Sequence, residues 1–322
     1  MAPALTQSLN GATPQVKAAL HHLDANTVSI DDIIHYLKHH GGVVVQNLIS
    51  EEILQEVGAD IKPYFDALVE PGFFSSKTRI VTRLPNKSIA FVEKIFGNQV
   101  FQDICDHFLT SHHRGWYGNE QYTYSPHPVF NSALAFSTLP GNETQSLHRE
   151  CMGQHNKLPA IAPEDYPIGR DTVLGMFVAD TRTTRENGAT RFIPGSHLQS
   201  TLDPPDESQT VPVEMNRGDV FLMLGSCYHG ASANVSQAEE RILYSTFMTQ
   251  STRRQLTTCL FLVQEENIYL SVPVDRVRVF SPRMQKRLGF SASDPLFGWV
   301  DVKDPRKVFN LPGLSEGQHI DV

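Results

Sequence analysis

His148-Arg149-Glu150, with His229 and Arg241 further along the chain, is the group of residues best suited to chemistry in this sequence. Two imidazoles and one carboxylate can occupy one triangular face of a six-coordinate iron(II), leaving the opposite face open for a co-substrate and dioxygen. An open face implies a catalyst rather than a structural ion. Alternation along a strand would put residues 148 and 150 on one side, so that both side chains reach the same ion. His229 must then arrive on a different strand.

The elements that would position these groups come next. Asp219-Val-Phe-Leu-Met-Leu-Gly225 and Arg241-Ile-Leu-Tyr-Ser-Thr-Phe-Met248 read as strands, separated by the polar stretch Asn234-Val-Ser-Gln-Ala-Glu-Glu240. Antiparallel pairing about that stretch would set His229 and Arg241 opposite each other on neighbouring strands. A fixed cation would then stand beside the metal. The natural partner of a guanidinium is a carboxylate, here that of a bound co-substrate, because the two match as a bidentate fork.

Three segments together resemble the phytanoyl-CoA dioxygenase-like iron(II)/2-oxoglutarate oxygenases: His148-Arg-Glu150, Glu186-Asn-Gly-Ala-Thr-Arg-Phe-Ile-Pro-Gly-Ser-His197, and Gly218-Asp-Val with His229-Gly and Arg241. The likeness is strongest to the fungal branch that tailors meroterpenoids and indole alkaloids, and it runs from about Asp31 to about Gly289. Its most specific part is the Glu-Asn-Gly-Ala-Thr segment with the Pro-Gly-Ser-His that follows. The resemblance implies His148, Glu150 and His229 as ligands of Fe(II), Gln145, Thr190 and Arg241 as the residues holding 2-oxoglutarate, and dioxygen as the oxidant. It implies an apolar polycyclic substrate attacked at a C–H bond, ending in hydroxylation, desaturation, rearrangement or endoperoxidation. It also implies a homodimer, or a heterodimer with a paralogue, in which the C-terminal tail takes part.

One position departs from that pattern. Most members carry Asp where this chain has Glu150, and the extra methylene either pushes the ion outward or makes the side chain fold back. A misplacement of ~1 Å can lose on the order of a hundredfold in rate. Glu150 therefore motivates a second reading, a catalytically impaired homologue acting as structural partner of an active paralogue. A third is a cupin-like metal isomerase or hydrolase using zinc, with Cys151 or His155 as a further ligand, although on a strand Cys151 should point away from Glu150. A carboxylate at this position argues against halogenase chemistry.

Each residue alone has a plainer explanation. His148 or His229 would be a hydrogen-bonded structural histidine, Arg241 a surface ion pair, Thr190 a turn residue. His22-Leu23-Asp24 shows how cheaply a His-x-Asp triplet arises in a chain with 14 histidines; it falls in Val16–Leu23, which reads as a helix, and is assigned to the surface. Strict alternation would put Gln145 on the face opposite His148, so its role rests on the resemblance. The combination of spacing, arginine and the Asn-Gly-Ala-Thr segment is what raises the metal reading above these.

Ser29–Lys38 reads as an amphipathic helix capped by Ser29 and ended by Gly41-Gly42, Val43–Ile49 as a strand, and Ser50 as the cap of a second helix. His35, His39 and His40 read as a solvated polar face. By the resemblance, Phe73-Phe74 and Lys77–Arg83 fall in a loop beside the substrate pocket, and Trp116, Tyr117, Tyr122 and Tyr124 are expected in a pocket wall or the core. Short strands follow at Ala133–Phe136, Thr172–Val178, Thr190–Ile193 and Val211–Glu214, with Pro194-Gly195 a turn and His197 on the loop surface. After Leu260–Val263, Ser281-Pro to Gly289 carries the signature of a capped helix.

The expected fold is therefore mainly β with helical additions, built on a double-stranded β-helix (jelly-roll) core. One domain over residues 1–322 is expected, with a helical segment to about 70, the core at about 130–250 and a helical tail from about 260.

Bulk properties narrow the partners. Lys and Arg number 27 against 35 acidic residues, a net charge of −8 and a pI near 5.9, which offers nucleic acid no basic footprint. Cys105, Cys151, Cys227 and Cys259 are too sparse for a disulfide framework and read as reduced thiols. No secretory signal, no run near the ~20 apolar residues that cross a bilayer, and no lipidation or peroxisomal address is visible. Cytosol is the default location.

Overall fold

The computed structural model describes residues 19–67, 77–154, 156–253, 267–293 and 298–312. Helix α1 (Ile30–His40) begins where the sequence places it: the Ser29 hydroxyl accepts from the Asp32 N–H, and the Asp32 carboxylate accepts from the Ser29 N–H. This reciprocal pair satisfies two donors that a first helical turn leaves free. Gly41, at φ 78°, ends the helix in the left-handed conformation that costs glycine least. Helix α2 (Glu51–Asp66) buries Leu54, Val57, Ile61 and Phe65, one stripe at helical spacing.

The strands are β1 (His22–Asp24), β2 (Gly42–Gln46), β3 (Thr78–Val81), β4 (His113–Tyr117), β5 (Glu120–Tyr124), β6 (Val129–Thr138), β7 (Val173–Ala179), β8 (Thr190–Phe192), β9 (Val211–Val213), β10 (Val220–Leu224), β11 (His229–Ala231) and β12 (Arg241–Thr249). A large sheet runs β1-β2-β10-β7-β12-β6-β3 and a small one β11-β8-β9. The two sheets meet face to face: Phe192 of β8 lies edge-on to Phe221 of β10, with ring centroids 5.1 Å apart. This is the expected double-stranded β-helix. Helices pack on the outer face of the large sheet, so β7 and β10 are buried along their whole length. That is why they read as continuous apolar runs instead of alternating ones.

Several expectations are corrected here. Residues 22–24 form a strand parallel to β2, drawn out of a helical conformation by the hydrogen bonds that the β2 edge offers. Thr78–Val81 is an edge strand against β6 and not a loop, while Phe73-Phe74 lie outside the described residues, as do Leu260–Val263 and Cys259. Trp116 and Tyr117 do not enter the core: β4 and β5 pair only with each other, and both residues are exposed, while Tyr122 and Tyr124 are half-buried. Strands β11 and β12 do not pair. Strand β11 joins β8 while β12 lies between β6 and β7 on the other sheet. The intervening stretch crosses between sheets, held by Asn234, whose amide donates to the Thr138 and Glu239 carbonyls.

His197 is also corrected, being fully buried instead of on a loop surface. Its Nε2–H donates to the Lys38 carbonyl at 2.9 Å, and the Gly195 N–H donates to the His40 carbonyl at 2.8 Å. The Pro-Gly-Ser-His loop thus supplies donors to the carbonyls that the end of α1 leaves unpaired. His40, expected on a solvated face, is buried against His21 and Tyr36. Among the described residues no helix is long and apolar enough to cross a membrane.

Burial brings the His197 imidazole down to about 3, and burial with neighbouring histidines brings His40 down to about 4. Both folded values lie below that of the unfolded chain, so the unfolded state takes up protons first as pH falls. The stability they confer is complete above about pH 6.5 and is lost as pH falls toward those values, at up to ~1.4 kcal/mol per pH unit per group. In urea titrations between pH 6.5 and 4.5, H197Q should lose less stability than the wild type; parallel slopes would contradict the assignment.

Candidate metal centre and co-substrate site

Backbone pairing carries the first two candidate ligands. The His148 N–H donates to the His229 carbonyl at 2.9 Å and the His229 N–H returns a bond to the His148 carbonyl at 3.0 Å. Residues 145–148 therefore run along the outer edge of β11, where the Gln145 N–H also donates to the Ala231 carbonyl. Directly opposed residues point the same way, and the two imidazoles lie with ring centroids 4.5 Å apart.

Glu150 joins them by a turn and not by strand alternation. Residues 150–154 form a short 3₁₀ segment, so the expectation that 148 and 150 share a strand face is corrected. The turn brings the longer carboxylate back: its Oε1 lies 3.0 Å from His229 Nε2 and 3.5 Å from His148 Nε2. One ligand atom from each of the three residues lies within 4.8 Å of the others, the only such group among the described residues. The extra methylene of Glu150 is taken up by the turn.

The donor set fits a divalent cation. His148 Nδ1 faces the Ser146 carbonyl at 3.0 Å and His229 Nδ1 faces the Cys227 carbonyl at 3.3 Å. An Nδ1–H donated to each carbonyl leaves both Nε2 lone pairs directed at the common point. Burial alone would raise the Glu150 carboxyl, but the two imidazoles outweigh it and hold the group well below the usual carboxylate range. Burial lowers His148 and Glu150 raises it, with a net rise; burial and the neighbouring His148 lower His229. The pocket thus holds an anion between two imidazoles, a charge arrangement suited to a dication. Sequence reasoning missed the carbonyls of Ser146 and Cys227, because a backbone acceptor leaves no mark on residue type.

Thr190 and Arg241 approach from the two sheets. Thr190 and Phe192 oppose Ala231 and His229 in register, so all four share the face of the small sheet that looks at the large one. Asn187 shapes the turn before β8: its Oδ1 accepts from the Thr184 N–H and its amide donates to the Arg182 carbonyl, while Gly188 takes φ 96°. On the large sheet, Ser245 of β12 opposes Phe177, whose ring lies 6.0 Å from that of His229. Arg241 shares that inward face of β12.

Arg241 is the electrostatic anomaly of the fold. It is 3% exposed, its Nη2 donates to Thr138 Oγ1 at 2.9 Å, and its Nε and Nη1 have no acceptor among the described residues. Burial lowers it to about 10, which still leaves it charged at neutral pH. A buried guanidinium with no counter-ion costs several kcal/mol, and its two unpaired nitrogens could hold an anion such as a carboxylate. Thr138, its partner across β6, was also missed, since only strand register brings it there.

Gln145 is half-buried, and its Oε1 accepts from the Ala231 N–H at 3.2 Å, which directs the side chain onto the β11 backbone. Cys151 is buried and is not among the ligand atoms that converge on the His148–Glu150–His229 point; His155 lies outside the described residues.

A jelly roll with two imidazoles, a carboxylate and a buried unpaired arginine between its sheets defines a metal-dependent oxygenase of the 2-oxo-acid type. Comparison with known proteins agrees. The phytanoyl-CoA dioxygenase (PhyH) model matches residues 37–242. Dioxygenase peniF of Penicillium patulum is 49% identical over 93% of this chain and 94% of its own length. Dioxygenase cnsJ of Penicillium expansum is 34% identical over 90% of this chain and 85% of its own. Among solved structures, the epimerase SnoN in complex with Fe3+, alpha ketoglutarate and nogalamycin RO has the same fold, with a TM-score of 0.52, 17% identity, and coverage of 70% of this chain and 86% of that one. The chain belongs to the phytanoyl-CoA dioxygenase family, and membership makes it an iron(II)- and 2-oxoglutarate-dependent dioxygenase. Zinc-dependent isomerase or hydrolase chemistry is thereby set aside.

A Cβ at Gly230 would sit 3.0 Å from both the Gln145 and the Ser146 carbonyl oxygens, backbone atoms that cannot swing away. G230A should wedge residues 145–148 off β11, costing ~1–3 kcal/mol of stability and weakening Mn(II) binding, read by thermal melts and by calorimetry on the same preparation. Wild-type values in both would show the edge pairing to be dispensable.

Proposed function

We propose that this dioxygenase oxidises an unactivated C–H bond of an apolar polycyclic secondary metabolite, with His148, Glu150 and His229 holding iron(II) and Gln145, Thr190 and Arg241 holding 2-oxoglutarate. The observation that carries the reading is the pairing, in one inter-sheet space, of the three-donor triangle with the buried, unpartnered guanidinium of Arg241. When bound, iron with 2-oxoglutarate and dioxygen supplies oxidative decarboxylation to succinate and the oxidising power to take hydrogen from carbon.

The chain's own residues do the rest. Arg241 meets the far carboxylate of the co-substrate in a water-poor site, where a charge-assisted fork is strongest and fixes orientation. Thr190, on the opposite wall, adds a hydroxyl donor to the same end. With its Oε1 engaged by Ala231, Gln145 keeps its NH2 as the group that would donate to 2-oxoglutarate. His148, Glu150 and His229 would supply the protein's three donors to the ion.

An apolar substrate is supported by the inward wall of the large sheet. Leu134 and Phe136 of β6 oppose Ser245 and Leu243 of β12, next to Phe177 of β7. Such a wall gives shape and desolvation rather than hydrogen bonds, which suits a ring system with few polar groups. The two Penicillium relatives are both named dioxygenases, which supports oxidation as the chemistry.

Aerobic incubation with Fe(II), 2-oxoglutarate and a panel of fungal polycyclic extracts should release succinate only when dioxygen is present. E150A should lower the rate at least ~100-fold, the scale expected for a misplaced or missing group at a site of this kind. E150D should gain nothing, because the turn is fitted to the longer side chain; a large gain would favour the impaired-homologue reading instead. R241M should raise the Kd for 2-oxoglutarate by ~30-fold or more, corresponding to the ~2–5 kcal/mol lost when one partner of a buried charge pair is truncated. Metal binding by R241M should stay unchanged, and a normal 2-oxoglutarate Kd would remove Arg241 from the site.

A further inference from the structure

The metal triangle has a back, and it is held by a second unusual arginine. Because residue 148 opposes 229 in antiparallel register, residue 149 opposes 228, on the face turned away from the donors. Arg149 is 4% exposed and lies over Tyr228, its guanidinium carbon 4.1 Å from the ring centroid. Its Nη2 donates to the Ser200 carbonyl at 3.2 Å, and its Nε and Nη1 have no acceptor. No carboxylate pairs with it among the described residues, so the ring is its main counterpart.

Tyr228 is itself fixed from three directions. Its hydroxyl donates to the Asp203 carbonyl at 2.7 Å, its N–H donates to Ser196 Oγ at 2.8 Å, and its carbonyl accepts from the Ile193 N–H at 3.0 Å. The ring is therefore a rigid plate beside β11, anchored to the loop that contains Pro194-Gly195-Ser196-His197. Arg149 sits between His148 and Glu150, at the point where the edge pairing ends and the 3₁₀ turn begins. Whatever holds Arg149 also sets how far the Glu150 turn swings from His229.

We propose that Arg149, stacked on Tyr228, is a positioning residue that fixes the spread between the His148–Glu150 arm and the His229 arm, and so sets how tightly the triangle holds its divalent cation. The proposal rests on the reading of those three residues as ligands. A planar guanidinium can cover an aromatic face across its full width, whereas a lysine ammonium makes only a point contact, so substitution by lysine is not conservative here. Groups that orient metal ligands from behind change affinity by ~10–100-fold when removed.

The test uses the full-length apoprotein titrated with Co(II), followed by calorimetry and by the visible absorption of the bound ion. Wild type should bind one Co(II) per chain, and H148A and E150A should lose that binding. R149M and Y228L should each weaken Co(II) by ~10–100-fold and change the absorption band, with apoprotein melting within a few degrees of wild type. R149K should fall between R149M and wild type. Y228F, which keeps the ring, should bind within about twofold of wild type. The double variant R149M/Y228L should lose no more than the worse single one, since both remove one contact. If R149M does not fold, Y228L and R149K carry the comparison. Wild-type Co(II) affinity and absorption in Y228L and R149K overturn the proposal. Retained binding by H148A and E150A would instead overturn the ligand assignment beneath it.

Discussion

Two backbone hydrogen bonds between His148 and His229 hold the rest of this site in place. They turn two segments that are distant along the chain into directly opposed neighbours, so that two imidazoles face one point without any side chain having to be strained toward it. The 3₁₀ turn then begins within two residues of that bridge and returns the Glu150 carboxylate to the same point. Precision comes from backbone geometry, which is stiff, and only the last few bonds depend on side-chain rotamers. The same bridge sends Arg149 and Tyr228 to the opposite face, so one pairing creates both the front and the back of the triangle.

Charge explains why the inter-sheet space is a binding site and not merely a core. Glu150 is held as an anion between two imidazoles, and Arg241 is buried as a cation with a single hydrogen bond. Neither group offsets the other by a direct ion pair among the described residues. Each is an incomplete interaction of opposite sign, which on the proposed function a dication would complete in one case and a dicarboxylate in the other. A fold that had evolved only to be stable would have paired or removed both, since buried ions are costly when alone.

Local features of the fold were legible in the sequence. Helix α1 has its cap, its stop and its apolar stripe within a dozen residues, and β10 and β12 announce themselves as apolar runs bounded by polar turns. The sequence also singled out His148, Glu150 and His229, which the fold brings together, because two imidazoles and a carboxylate stood out beside the Asn-Gly-Ala-Thr segment. Partner choice was not. The stretch after His229 is short and polar, which suits a hairpin as well as a crossing between sheets, and only the competition of β8 for β11 and of β6 and β7 for β12 decides between them. His22–Asp24 failed as a helix for the same reason: the free edge of β2 outbids a weak local preference. The aromatics of β4 and β5 looked like pocket residues by type, yet a hairpin that joins neither sheet has no core to enter.

By itself the sequence determined which chemical groups are available, the approximate places of the helices and strands, and the family pattern they fit, since these depend on residue type and on interactions between near neighbours. Only the tertiary structure decided that Glu150 reaches the imidazoles by a turn, that Arg241 is buried without a partner, that His197 clamps the end of α1, and that Arg149 lies on Tyr228. Those facts arise from hydrogen bonds and packing between segments far apart in the chain. Such contacts depend on which of several compatible strand pairings wins, and that is settled by the burial of the whole sandwich and not by any local stretch.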